Sequence, residues 1–462
     1  MAGGIDLATL RPAEGLDVEM ITGANEMEIR LVPVVSVYQP SICPQCGSDR
    51  LYRHDKREQR YVDVPHFAMP THLRFIRQRW RCRDCSLVFP DPSSDLDDAH
   101  HCTKRLIAFI GDMGVRHTFA EIARMVGVAD VTVGAIFKEH VKRLASMYRF
   151  EAPEIIGIDE VKVLGEYRCI LTNIGHLTVY DLLPSRRLDR LRPYFTDFPD
   201  RHKVKVFCTD LWQSYAVVAR EFFPRAVVVA DRFHIQRMGN NALEKVRLSY
   251  RKKLTKHARI ELKDDRKLLL KNGKHLTPGQ RDALERIFVK HEPLRVAWEC
   301  KENFIQIYEA TGVSGARMLI RHWLRTVPDI MKEPFAEPIS TLHTREDHIV
   351  NYFDHPFTNG YTEAANALVK GMNRMGRGYS FEAIRAKMLY NRKALAKSAV
   401  RIDRPVQASS DGFSLGLLTS ASMMPVPRTA ASYEMRYYGP HIPTLVEMLE
   451  NGEFENPKPL NE

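Results

Sequence analysis

Residues 154–163 read EIIGIDEVKV, and how this stretch is taken decides the fold. Side chains alternate across a strand, so Ile155, Gly157, Asp159 and Val161 share one side. Residues 203–212, KVKVFCTDLW, repeat the device and group Val204, Val206, Cys208 and Asp210. Two neighbouring strands of this kind project Asp159 and Asp210 toward one point. A third acid sits in a helical pattern, NGYTEAANALVK at residues 359–370. There Thr362 is the expected N-cap and Glu363 falls in the first turn, while Ala365, Leu368, Val369 and Met372 face inward at helical spacing. The opposite stripe, Glu363, Asn366, Lys370 and Arg374, is one acid followed by groups that hold phosphates. The MGRG that follows ends the helix and keeps Arg377 exposed.

Taken singly, a strand-end aspartate is an ordinary turn residue, and a first-turn glutamate merely favours the helix dipole. Taken together, Asp159, Asp210 and Glu363 form the oxygen-donor set that Mg²⁺ (or Mn²⁺) prefers. A pair of such ions can stabilise both the attacking and the leaving oxygen of an in-line displacement at phosphorus.

The surrounding pattern sets the fold class. From residue 155 to residue 235 three strands precede a helix, a strand, a helix and a strand. That order breaks the strict alternation of a doubly wound fold and indicates a mixed sheet with helices packed on it. The stretch 240–346 reads as helix-rich and strongly basic at its start. Its opening carries Lys245, Arg247, Arg251, Lys252, Lys253 and Lys256, either a DNA-backbone contact or a solvated basic face.

Upstream, Cys43-Pro-Gln-Cys46 and Cys82-Arg-Asp-Cys85 are two C-x₂-C knuckles that together complete a closed tetrahedral Zn²⁺ shell. The alternating stretch between them reads as a hairpin, and Gly47 suits the tight turn after the first knuckle. Arg74, Arg77, Arg79, Arg81 and Arg83 add a basic strand that faces either DNA or solvent. Next, Thr118 and Glu121 read as a capping box and Gly127 as a C-terminal cap. A second helix, capped by Asp130, buries Val133, Ile136, Phe137, Val141 and Leu144. This leaves Thr132, Ala135, Lys138, Lys142 and Arg143 outward, the layout of a helix-turn-helix with its second helix offered to the major groove.

The chain has 462 residues and a formal charge of +11, which favours a polyanionic partner. No apolar stretch is long enough to span a bilayer and the first ten residues lack a secretory pattern, so a cytoplasmic, nucleoid-associated protein is expected. Of eight cysteines, four sit in the two knuckles, a usage suited to a reducing compartment.

In this order the motifs CPQCG, RWRCRDC, the helical pair, GIDEVKV, CTDLWQSY, ADRFHIQR and NGYTEAANALVKGMNRMGRGYSFEAIRAKML resemble the DDE transposases of bacterial insertion sequences of the ISL-three class. The resemblance runs from about Cys43 to Arg401. It implies a ribonuclease H-like catalytic core, a divalent metal, and cut-and-join chemistry on double-stranded DNA, at transposon ends and at a target. It places the catalytic acids on Asp159, Asp210 and Glu363 and adds Asp231 and His234, whose roles it leaves open. Joining two ends implies at least a homodimer. A catalytically inactive, domesticated relative that only binds DNA ends is the alternative. The expected architecture is multidomain α/β: a strand segment over 1–40, a zinc ribbon-like module over 41–90 and a helix-turn-helix over 103–150. The core is expected over 154–239 and 347–401, the basic helical insertion over 240–346, and a loose tail over 402–462 with one short helix at Pro443–Asn451.

Overall fold

A computed structural model describes residues 8–23, 27–91, 93–376 and 378–391. By their contacts these form two compact units, residues 8–150 with 371–391, and residues 151–370. The expected tail, with its short helix, lies outside the described residues.

The first unit is built on one sheet of short and long strands: β1 (Leu10–Pro12), β2 (Glu19–Thr22), β3 (Glu28–Ser36), β4 (Leu51–His66), β5 (Met69–Cys82), β6 (Val88–Pro90), β7 (Leu96–Asp97) and β8 (Cys102–Thr103). The order is β1-β3-β5-β4-β8-β7, with β2 paired to β3 and β6 to β5. The long β4–β5 hairpin pairs Leu51 with Cys82 at its open end, which brings the second knuckle beside the first. All four sulfurs lie within 4.8 Å of one another. Cys43 Sγ is 3.5 Å from Cys85 Sγ, and Cys46 Sγ is 3.6 Å from Cys82 Sγ. Zn–S bonds of about 2.3 Å give tetrahedral edges of ~3.8 Å, so the cluster fits structural Zn²⁺. Backbone donors at Cys85 and Asp84 hold the Cys82 thiol down to about 7 despite the desolvation that opposes them. Gly47 takes a φ of 73°, as the knuckle turn requires.

The basic strand serves the fold more than a free surface. Arg77 is buried, donating to the Asp91 carbonyl at 2.9 Å and to Gln59 at 3.1 Å. Arg74 pairs with Glu19 and Arg79 with Asp55, and Arg83 lies over the Tyr52 ring.

Three helices follow: α1 (Lys104–Gly114), α2 (Phe119–Val126) and α3 (Asp130–Met147). Val133, Ile136 and Phe137 of α3 are buried as expected. A Cβ at Gly111 would collide with the His140 ring and one at Gly114 with the Phe137 ring, so these glycines let α1 and α3 approach. Two caps differ from the sequence reading. Thr118 accepts from the Glu121 amide, but the Glu121 carboxylate turns to His117 at 3.3 Å and does not close the box. Ala129 is the cap residue of α3, and Asp130 is its first residue, its carboxylate spent on the adjacent Val131 amide. Gly127 caps the end of α2 at φ 75°, as expected.

The second unit opens with β9 (Ile155–Val163), β10 (Glu166–Asn173) and β11 (Thr178–Leu183), then α4 (Leu188–Thr196), β12 (Val206–Thr209), α5 (Gln213–Phe222), β13 (Val227–Ala230) and α6 (Arg232–Arg251). The sheet order is β11-β10-β9-β12-β13. The first three strands form an antiparallel meander, and β12 and β13 run parallel to β9. This is the mixed sheet that the strand and helix order implied, the arrangement of a ribonuclease H-like core. Leu164 and Gly165 close the β9–β10 hairpin with φ of 53° and 80°, the pair of left-handed residues that a type I′ turn demands.

Helix α6 runs without a break through residues 239 and 240, the expected start of the insertion. It is followed by α7 (Lys256–Asp264), α8 (Arg266–Leu270), α9 (Pro278–Lys290), α10 (Glu292–Ile305), α11 (Gly312–Thr326), α12 (Asp329–Lys332) and α13 (Ala336–Val350). These helices share an apolar core that includes Leu243, Phe288, Phe304, Trp323 and Phe335. Of the basic opening, Arg247 is unavailable to DNA: it is 3% exposed, paired to Glu244 and bonded to the Leu262 carbonyl. Arg251 donates to the Arg259 carbonyl, whereas Lys252 and Lys253 remain exposed.

The chain closes with α14 (Gly360–Met375) and α15 (Phe381–Tyr390). Residues 371–391 group by their contacts with the first unit. Lys387 reaches the Gly114 and His117 carbonyls, and its ammonium faces the rings of Phe119, Phe137 and Tyr379. Burial pushes it down to about 8.

Structural zinc supplies ~10–16 kcal/mol of apparent folding energy in small modules, more than this thin, strand-built unit can replace. The purified chain is expected to carry one zinc per molecule. Cys82→Ser should lose that zinc and lower the melting temperature, by metal analysis and calorimetry on the same samples.

Candidate metal centre

Strand register gathers the acids. Thr209 of β12 pairs with Ile158 of β9 on one side and with Ala230 of β13 on the other. The next residue on each strand is Asp210, Asp159 and Asp231, so three aspartates stand in a row across adjacent strands. Asp159 is 5% exposed, and its Oδ1 accepts from the Glu160 amide at 2.7 Å. Asp210 Oδ1 accepts from the Trp212 amide at 3.0 Å, across a Leu211 held at φ 68°. Asp231 is fully buried. Its Oδ2 accepts from His234 Nδ1 at 2.8 Å, and its Oδ1 accepts from the Asn359 amide at 3.2 Å.

Helix α14 brings the fourth acid, and a polar clasp fixes its start. Asn359 donates to the Ile158 carbonyl at 2.9 Å. Thr362 shares a hydrogen bond with Thr172 at 2.7 Å and donates to Asn359 Oδ1 at 3.1 Å. A side chain at Gly157 would strike all three polar groups, so glycine is required there. Thr362 is thus a buried clasp inside the helix and not the N-cap expected from sequence. Asn366, expected to hold phosphate, is instead buried and donates to Asp159 Oδ2 at 2.8 Å and to the Glu160 carbonyl at 3.1 Å.

Two overlapping groups of potential ligands result. Asp159, Asp210 and His234 present atoms within 4.8 Å of one another, and so do Asp231, His234 and Glu363. Glu363 therefore joins the first pair through His234, with its Oε1 3.9 Å from His234 Nδ1. Arg237 donates to His234 Nε2 at 2.5 Å.

The electrostatics are those of like charges held together. Burial and then the neighbouring Asp210 carboxylate push Asp159 up to about 8. Burial and then Asp231 push Glu363 up, against His234, Arg237 and Lys370. Desolvation pulls His234 down, but its bond to Asp231 outweighs that and raises it. A site with four carboxylates, and with the Asn366 Oδ1 buried beside them without a donor among the described residues, is one that a cation relieves. The donors are oxygens, with one imidazole, which suits a hard divalent ion.

Residues 156–388 match the ISL3 family of DDE transposases, described simply as a transposase. The chain belongs to that family. Residues 39–85 match the zinc-finger of transposases IS204/IS1001/IS1096/IS1165, and residues 94–141 match the helix-turn-helix domain of transposase family ISL3. Comparison with curated proteins gives no match. The chain is a DNA-binding transposase with a structural zinc ribbon. Among its described residues no helix is long and apolar enough to cross a membrane.

On the transposase's expected DNA face, Lys138, Lys142 and Arg143 are exposed and Thr132 is half-buried; Arg143 also touches His140 Nδ1 at 2.9 Å. Lys370 and Arg374 are exposed on α14, and Arg377 lies outside the described residues. Sequence reasoning missed Asn359, Thr362 and Thr172 as the clasp. Two of them lie inside the quoted NGYTEAAN stretch, but polar residues at a helix start look the same whether they cap or clasp.

In the metal-free transposase Asp159 keeps its proton in the folded chain where the unfolded chain has lost it. The folded state then binds more protons between pH 3.8 and about 8, so stability falls as pH rises through that window and levels above it. Asp159→Asn has no such dependence. Its melting temperature in metal-free buffer should exceed that of the wild type by a margin that widens with pH and then becomes constant near pH 8. A margin independent of pH would contradict the assignment.

Proposed function

We propose that Asp159, Asp210 and Glu363 would hold divalent ions, Mg²⁺ or Mn²⁺, at this site. The observation that carries this reading is the strand register that aligns Asp159, Asp210 and Asp231, with Glu363 reached through His234. Bound there, the ions supply Lewis-acid stabilisation of the attacking and leaving oxygens. The chain's own groups hold the geometry. Asn366 orients Asp159, the Trp212 amide orients Asp210, and Asp231 fixes the His234 ring beside Glu363.

The reaction is phosphodiester hydrolysis at an insertion-sequence end, followed by strand transfer. Water attacks the terminal phosphodiester and releases a 3′-hydroxyl, which then attacks a target phosphodiester. Each step exchanges one phosphorus–oxygen bond for another, and no protein nucleophile is needed. The face of α3 that carries exposed Lys138, Lys142 and Arg143 and half-buried Thr132 reads the terminal inverted repeats together with the zinc ribbon. Lys252, Lys253, Lys370 and Arg374 supply backbone contacts. Two ends must be held at once, so the working form is at least a dimer.

Asp159→Ala, Asp210→Ala and Glu363→Ala should each abolish end cleavage in Mg²⁺ or Mn²⁺ while leaving gel-shift affinity intact. A wild type that binds ends but never cuts them would make the protein a DNA-binding regulator instead. Lys138→Glu with Lys142→Glu should weaken end binding and flatten its log–log salt dependence by about 0.9 per lost phosphate contact. An unchanged slope removes α3 from the DNA.

A further inference from the structure

On the side of β9 opposite Asp159 the sheet carries a feature that cleavage as described does not use. Trp212 follows Asp210 by two residues, and its own amide donates to the Asp210 carboxylate, so the indole is tied to a candidate ligand. Tyr167 stands on β10, paired in register with Lys162 of β9. The Arg186 guanidinium lies over both rings, 4.2 Å from the Tyr167 centroid and 4.4 Å from the Trp212 centroid. Arg186 is also paired with Glu160, the neighbour of Asp159. Lys162 Nζ sits 5.6 Å from the same Tyr167 ring.

Trp212 and Tyr167 remain 43% and 46% exposed with the Arg186 guanidinium against each ring. Two wide rings with two cations against them are thus left open to solvent and are not folded into the core. Cations with ordered aromatic faces match the two chemistries of a nucleotide, its phosphate and its base. Bases inside a duplex have both faces covered by their neighbours, so away from a duplex terminus only an unpaired base offers a face to a protein ring.

We propose that Trp212, Arg186 and Tyr167 form a stacking platform that takes an unpaired nucleobase of the bound DNA. The inference rests on the reading of the carboxylates as a site that cuts DNA. The platform holds the strand end open, and Arg186 keeps the two rings oriented. Trp212 and Tyr167 are positioning residues and take no part in bond making.

The test uses the full chain in buffer without added Mg²⁺ or Mn²⁺, so that binding is read without cleavage. The probes are one labelled duplex oligonucleotide in two forms, blunt-ended or carrying a short run of unpaired thymidines, followed by fluorescence anisotropy. Base–aromatic stacking makes a wild-type preference of about tenfold for the unpaired form the expected result. Trp212→Ala and Tyr167→Ala should each erase that preference, Tyr167→Ala with affinity for the blunt duplex unchanged, while Trp212→Phe and Tyr167→Phe retain it. If the tryptophan variant does not fold, Tyr167→Ala decides the matter alone. A wild type without the preference, or an alanine variant that keeps it, overturns the platform. Cleavage by the wild type in Mg²⁺ is scored separately. A chain that cuts but lacks an aromatic-dependent preference loses the platform only. One that shows the preference and never cuts keeps the platform and loses the nuclease reading.

Discussion

Carboxylates crowded into one buried corner repel each other, and the second unit is organised around holding them there. Asp159 lies on the inner strand of the sheet, Asp210 and Asp231 just beyond its parallel neighbours, and Glu363 on a helix laid against them. Each would be more stable in water, alone. The sheet register leaves them no freedom to separate, because β9, β12 and β13 pair residue by residue up to the acids themselves. Backbone amides of Glu160, Trp212 and Asn359 and the Asn366 side chain satisfy one carboxylate oxygen after another. Those bonds orient the oxygens without cancelling their charge, which is the condition for binding a cation strongly.

The placement of Glu363 is the harder problem, since more than a hundred residues separate it from Asp231. An insertion of that length is tolerable when it folds on its own core, because loop closure grows only slowly with length. The helices from α6 to α13 do share such a core. What then fixes Glu363 is not the connection but the clasp of Asn359, Thr362 and Thr172, seated over Gly157. The absence of a Cβ at one strand position decides how closely a distant helix can dock.

The first unit solves a different difficulty. Its sheet is thin and its long hairpin carries arginines where a larger domain would bury apolar side chains. Four thiolates closing around one zinc ion tie the hairpin's open end to the preceding loop. Arg74, Arg77 and Arg79 are drawn into ion pairs and carbonyl contacts that hold neighbouring strands. The helix-turn-helix packs on α15 as well, through a lysine whose ammonium replaces water at two carbonyls.

Local pattern alone was enough for much of this. Period-two alternation marked β9 and β12, the C-x₂-C spacing marked the zinc cluster, and the order of strands and helices implied a mixed sheet. Those features depend on neighbours close in the chain, where spacing translates directly into geometry. The roles of Thr362, Asn366 and Arg247 were misread because each looked like an ordinary surface or capping residue until a partner far away in sequence buried it. Register across β9, β12 and β13, the union of His234 with both acid groups, and the stacking of Arg186 on Trp212 and Tyr167 were decided only by tertiary structure. They arise from pairings between strands and loops that no single stretch contains, and a one-residue slip in any of them would send the same side chains to the opposite face.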